Sequence, residues 1–145
     1  MNSLTTGPRR PVPANALALL AAATDGLQEA ARSDLPTERY ACAHLAALRA
    51  AAAVLAVRAR PDGRRRRPQN AWAVLAAVAP ELGEWAHFFA AGARKRAAAE
   101  AGLRSAATAR EADDILRDAE CFLRLVETTL GVLPHDDRRL VPCAG

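Results

Sequence analysis

The chain has 145 residues and a formal net charge of +4, and it is 51% hydrophobic but only 4% aromatic. That allows one domain whose core is built mainly from small side chains. Alanine fills 37 positions and arginine 19 against a single lysine (Lys95), while one Ile and eight Val are too few β-branched residues to furnish a sheet. The chain therefore reads as all-α. Three cysteines (Cys42, Cys121, Cys143), an odd number without a close pair, rule out a disulfide framework and any C-x-x-C metal or redox motif on this reading. A reduced, cytoplasmic setting fits that usage.

Residues 1–13 read as a disordered lead-in. Arg9-Arg10 ahead of the short apolar stretch 17–23 has the outline of a twin-arginine export signal, but Pro11 and Pro13 interrupt it, and cleavage near Ala23 would remove half of a well-patterned helix. That first helix is expected over residues 14–32, where Leu17, Leu20, Thr24, Leu27 and Ala31 step by three and four, with Gly26 as a weak point. Ser33-Asp34-Leu35-Pro36 ends it and opens a second helix to about residue 59. Between Tyr40 and Val57 only His44 and Arg49 are strongly polar, so this helix belongs at the centre of a bundle, and Arg49 must snorkel or pair with Glu84, Asp113 or Asp114. The longest uninterrupted apolar runs, 50–57 and 71–79, fall short of the roughly 20 residues of a membrane helix.

Residues 58–69, RARPDGRRRRPQ, are loop chemistry, and the first ten of them carry six Arg against one Asp. They hold a charge of +5, so everything else sums to −1. One loop is basic and the rest of the protein is not. Asn70 caps a third helix to residue 79, and Pro80 kinks it or opens a fourth. The fourth carries an inward stripe of Leu82, Trp85, Phe89 and Ala93, with Glu81 and Glu84 near its start and Arg94, Lys95 and Arg96 toward its end, complementing the dipole. After a connection at 102–107, Thr108 and Glu111 form a capping box, Ala112, Ile115, Ala119, Phe122, Val126 and Leu130 give the last helix its stripe, and Gly131 ends it. Residues 132–145 read as a frayed tail. The sum is an antiparallel bundle of four to five helices over residues 14–131.

Catalytic machinery is sparse. Lys95 sits in GARKRAA, not in a phosphate loop, and His135, Asp136 and Asp137 cluster in the tail without a second anchoring pair. No metal and no cofactor is therefore expected. Cys42 and His44 lie about 200° apart around a helix, which places them on opposite sides and leaves Cys42 as a small core residue. Arg39 and His44 form an R-x4-H spacing. A neutral histidine can take a proton from a 2′-hydroxyl and a permanent guanidinium can stabilise phosphorane charge, although the two stand about 140° apart and need a flexible first turn or a dimer partner to converge. The plainer reading keeps His44 as a hydrogen-bonded core histidine. Arg58, Arg60, Arg64, Arg65, Arg66 and Arg67 have the composition of a phosphate-contacting arm, without the aromatic interleaving that base stacking needs.

The stretches ERYACAHLAALRAAAAVLAVRARP, RRRRPQNAWAVLAAVAPELGEWAHFFAAGARKRAAAEAG and TAREADDILRDAECFLRLVE resemble the SAV-type family of HEPN domains, small helical proteins of actinobacteria. The resemblance implies a bundle of four or five helices, often dimeric, that binds nucleic acid or nucleotides and in many relatives cleaves RNA without a metal. The R-x4–6-H motif of the HEPN ribonucleases, placed near the start of a late helix, finds its match here in the second helix at Arg39 and His44. The function so implied is nucleic-acid binding, RNA more than DNA, by a homodimer with metal-independent ribonuclease activity. The alternative is a non-catalytic helical module for dimerisation or for docking a protein partner.

Overall fold

The computed structural model describes residues 11–58 and 70–132. Among these the chain forms six α-helices: α1 (Ala14–Arg32), α2 (Pro36–Arg58), α3 (Ala71–Val78), α4 (Gly83–Ala91), α5 (Ala93–Glu100) and α6 (Ala109–Leu130), with short 3-10 turns at Pro80–Leu82 and Arg104–Ala106. The all-α bundle expected from composition is present. The sixth helix arises because the long fourth helix is divided at Gly92 (φ −90°, ψ 0°) into α4 and α5. Arg94, Lys95 and Arg96 consequently stand at the beginning of α5, where they do not complement a dipole. Lys95 is used differently: its Nζ donates to the Ala106 carbonyl at 3.1 Å and to Glu111 Oε2 at 3.2 Å, fastening α5 to the start of α6.

Local signals set the other helix ends. The Asn70 side chain accepts from the Trp72 backbone N–H at 2.9 Å. The Thr108–Glu111 capping box is complete in both directions, and Gly131 closes α6 at φ 71°, the left-handed conformation that glycine adopts without steric cost.

α2 is the hub, packing against α1, α3, α5 and α6. By length and composition it would also cross a bilayer, with a mean hydropathy of 1.6 over its best 18-residue window. The uninterrupted runs understated this, because the average over 18 residues stays high across single interruptions such as His44 and Arg49. Burial among four neighbours accounts for its apolarity. The α1–α2 seam is rich in alanine: α1 buries Ala16, Ala23 and Ala30 alongside Leu20 and Leu27, and α2 buries Ala43, Ala46, Ala47, Ala50, Ala51 and Ala53. Gly26 is buried in this seam, and a Cβ there would lie 3.4 Å from that of Ala46 and 3.7 Å from Arg49 Nη1, both ordinary van der Waals contacts. The ion pair expected for Arg49 is not formed among the described residues.

The short turn at 33–35 makes α1 and α2 antiparallel neighbours. α6 instead starts beside the start of α2, where Arg39 meets Asp113 at 2.8 Å, and the two run in the same direction. Cys121 of α6 is disulfide-bonded, which corrects the reading of the odd cysteine count: an odd number leaves one thiol over but does not forbid a bridge. Cys42 is free.

Candidate functional site

All six aromatic residues of the chain join one cluster, and His44 supplies a seventh ring. Trp72 stacks on Phe89 at 5.2 Å between centroids, Phe122 closes on Phe89 at 5.2 Å, and Trp85 lies 5.8 Å from Phe89. His44 stands edge-on to Trp72 and Phe89 and lies face to face with Tyr40 at 6.2 Å. Aromatic pairs at these separations add about 0.5–1.5 kcal/mol each beyond their buried area. A chain poor in aromatic residues thus concentrates them where α2, α3, α4 and α6 meet.

His44 has no exposed surface. Its Nε2 lies 2.7 Å from the Phe89 carbonyl, which fixes Nε2 as the protonated nitrogen. That carbonyl also accepts the Gly92 N–H at 3.0 Å, so the break between α4 and α5 frees an acceptor that the histidine takes up. Burial lowers the His44 pKa from 6.5; the Phe89 carbonyl opposes that, Arg96 adds to it and Glu100 opposes it. The ring is neutral at pH 7.

Arg39 is spent at the turn between α1 and α2. Its Nε and Nη2 donate to the Ser33 carbonyl at 3.3 and 3.1 Å, Nη2 also reaches the Asp34 carbonyl at 3.5 Å, and Nη1 reaches Asp113 Oδ1 at 2.8 Å. A cation at the start of α2 is unfavourable for that helix, but here it serves the carbonyl-rich end of α1. The candidate pair is therefore not assembled: one member is sealed in the core, the other is committed to a turn. Removing the Arg39 fork in Arg39→Ala should cost about 1–2 kcal/mol in urea denaturation. Asp113→Asn, at a side chain 62% exposed, should cost less than about 1 kcal/mol.

Of the arm arginines, Arg58 is described, ending α2 with its Nη1 2.7 Å from Glu81 Oε2. Arg60, Arg64, Arg65, Arg66 and Arg67 lie outside the described residues, as do His135, Asp136, Asp137 and Cys143. Cys42 and His44 do point apart. Cys42 is not in the core, however, but half-buried in a groove of about 530 Å³ with Glu29, Glu38, Glu100 and Arg104. Burial pushes its thiol pKa up, and Glu29 and Glu38 push it further, so it is a poor nucleophile.

Two features escaped the sequence reading. Gly92 has ordinary dihedrals, yet a Cβ there would stand 2.6 Å from the Tyr40 hydroxyl and 3.4 Å from His44 Cδ2. A second cleft, about 330 Å³, lies between α4 and α6 and is lined by Glu84, Trp85, Phe88 and Asp118. The spacing of Asp114 and Asp118 along α6, with Trp85 and Phe88 three apart on α4, was the available signal.

A central apolar helix thus lies between an alanine-rich seam and an aromatic cluster. The family model described as SAV_6107-like HEPN matches residues 30–127, from the end of α1 through most of α6, and the chain belongs to that family. Comparison with curated proteins and with solved structures gives no match.

Proposed function

We propose that this HEPN-domain protein binds nucleic acid, RNA in preference to DNA, by phosphate contacts from Arg58, Arg60, Arg64, Arg65, Arg66 and Arg67, and that it works as a homodimer. The observation that carries the reading is the confinement of charge: +5 within ten residues against −1 for the remainder. Guanidinium groups match phosphate oxygens in a bidentate fork, and nineteen arginines to one lysine suit that mode of contact. Cleavage by Arg39 and His44 is not part of this reading, because a neutral, enclosed imidazole cannot meet a 2′-hydroxyl.

The test is fluorescence anisotropy of the protein with a labelled single-stranded RNA and its DNA counterpart at about 50 and 200 mM salt. Affinity should fall steeply with salt. Replacing Arg64, Arg65, Arg66 and Arg67 together by Ser should weaken binding on the order of tenfold at the lower salt and reduce the log–log salt slope by about 3, at roughly 0.7 per lost single-strand contact. RNA recovered afterwards should be intact. Binding unaffected by the four substitutions would remove the arm from the reading, and no binding at low salt would turn it to the non-catalytic interaction module.

A further inference from the structure

The cleft between α4 and α6 combines features that the nucleic-acid reading leaves unused. Trp85 and Phe88 set their rings at 90°, with centroids 6.2 Å apart, and form an aromatic corner. Phe88 is 45% exposed, and Trp85 beside it is half-buried. Glu84 from α4 and Asp118 from α6 line the same space, and neither carboxylate has an ion pair among the described residues. Aromatic faces and carboxylates share one kind of complement, a cation with an apolar stem.

We propose that this cleft binds the arginine side chain of a protein partner. A guanidinium is planar, stacks on an aromatic face while its edge still donates, and is more weakly hydrated than an ammonium, so it can engage Trp85 and both carboxylates at once. A volume of about 330 Å³ holds such a side chain with room for part of the flanking residue against Phe88. Burial, with Asp114 one turn earlier and Arg117 opposing, raises the Asp118 pKa; a cation seated beside it would reverse that shift. A phosphate backbone carries the wrong charge for this cleft, so the site and the arginine arm address different molecules, and the failure of one leaves the other standing.

The experiment is a titration of the full chain with a capped Gly-Arg-Gly peptide, followed by the indole N–H resonances of its two tryptophans. The Trp85 signal should move, with a Kd of about 1–10 mM for so small a ligand, while that of Trp72, buried in the core, stays. The corresponding lysine peptide should bind about fivefold more weakly. Asp118→Asn, a substitution at a partly exposed helix position, and Phe88→Ala should each weaken the arginine peptide about fivefold while circular dichroism shows the helices intact. Free arginine amide that binds as tightly as the peptide would assign the cleft to a small molecule and overturn the protein-partner proposal. So would an unmoved Trp85 resonance, or a shift of equal size in Asp118→Asn.

Discussion

Replacing His44 by Ala should destabilise the fold by about 2–4 kcal/mol, lowering the melting temperature by roughly 5–15 °C for a chain of this size. Two losses combine. The Phe89 carbonyl gives up the 2.7 Å hydrogen bond that holds the α4–α5 break against α2, and the ring vacates a site bounded by Tyr40, Trp72 and Phe89. Against a total stability of about 5–15 kcal/mol the effect is large. A variant as stable as the parent would refute the positioning role given to this residue.

Titration supplies an independent check. The folded-state pKa lies below 6.5, so the unfolded chain binds the proton more readily. The His44 contribution is therefore fully present above about pH 6.5 and is lost as pH falls from there toward the lowered value. Asp118 and Glu120, whose pKa values are raised mainly by burial, act with the opposite sign at more acid pH, which makes a difference measurement necessary. The gap in melting temperature between the parent and His44→Leu should narrow between pH 7 and pH 5. A constant gap would mean that His44 has the same pKa in the folded and unfolded chains.

The second large effect is expected at Gly92. Alanine is compatible with φ −90° and ψ 0°, so backbone strain plays no part there, but its methyl would stand 2.6 Å from the Tyr40 hydroxyl. Tyr40 is only 5% exposed and is stacked on His44, so it cannot swing aside. Overpacking of this kind costs about 1–3 kcal/mol. Tyr40→Phe removes the offending oxygen and should recover most of the loss when combined with Gly92→Ala, giving a coupling energy of about 1 kcal/mol or more in a double-mutant cycle. Additive losses would show that the clash is relieved elsewhere.

These two positions show what could be read in advance. The ends of α3 and α6 were legible because their causes are local: Asn70 two residues before the N–H it accepts, Thr108 and Glu111 three apart, Gly131 at the stop. The central place of α2 followed from its near absence of polar side chains. The break at Gly92 was not legible, since the residue that needs the space comes from another helix fifty-two positions earlier. The partners of Arg39 were hidden for a related reason: spacing pointed to His44, whereas they are carbonyls behind it and an aspartate seventy-four residues ahead. The α4–α6 cleft depends on which faces of two distant helices meet, and an R-x4-H pattern is short enough to occur in an arginine-rich chain without chemistry attached to it.

The gathering of every aromatic ring into one cluster also determines what light can report about this molecule. Tyrosine and tryptophan emission, and all near-ultraviolet dichroism from rings, originate where α2, α3, α4 and α6 converge, while the alanine seam between α1 and most of α2 is optically silent. Intrinsic fluorescence therefore follows the loosening of one region only. Far-ultraviolet dichroism counts all the helices, so superimposable curves from the two signals would mean that seam and cluster come apart as a single cooperative unit.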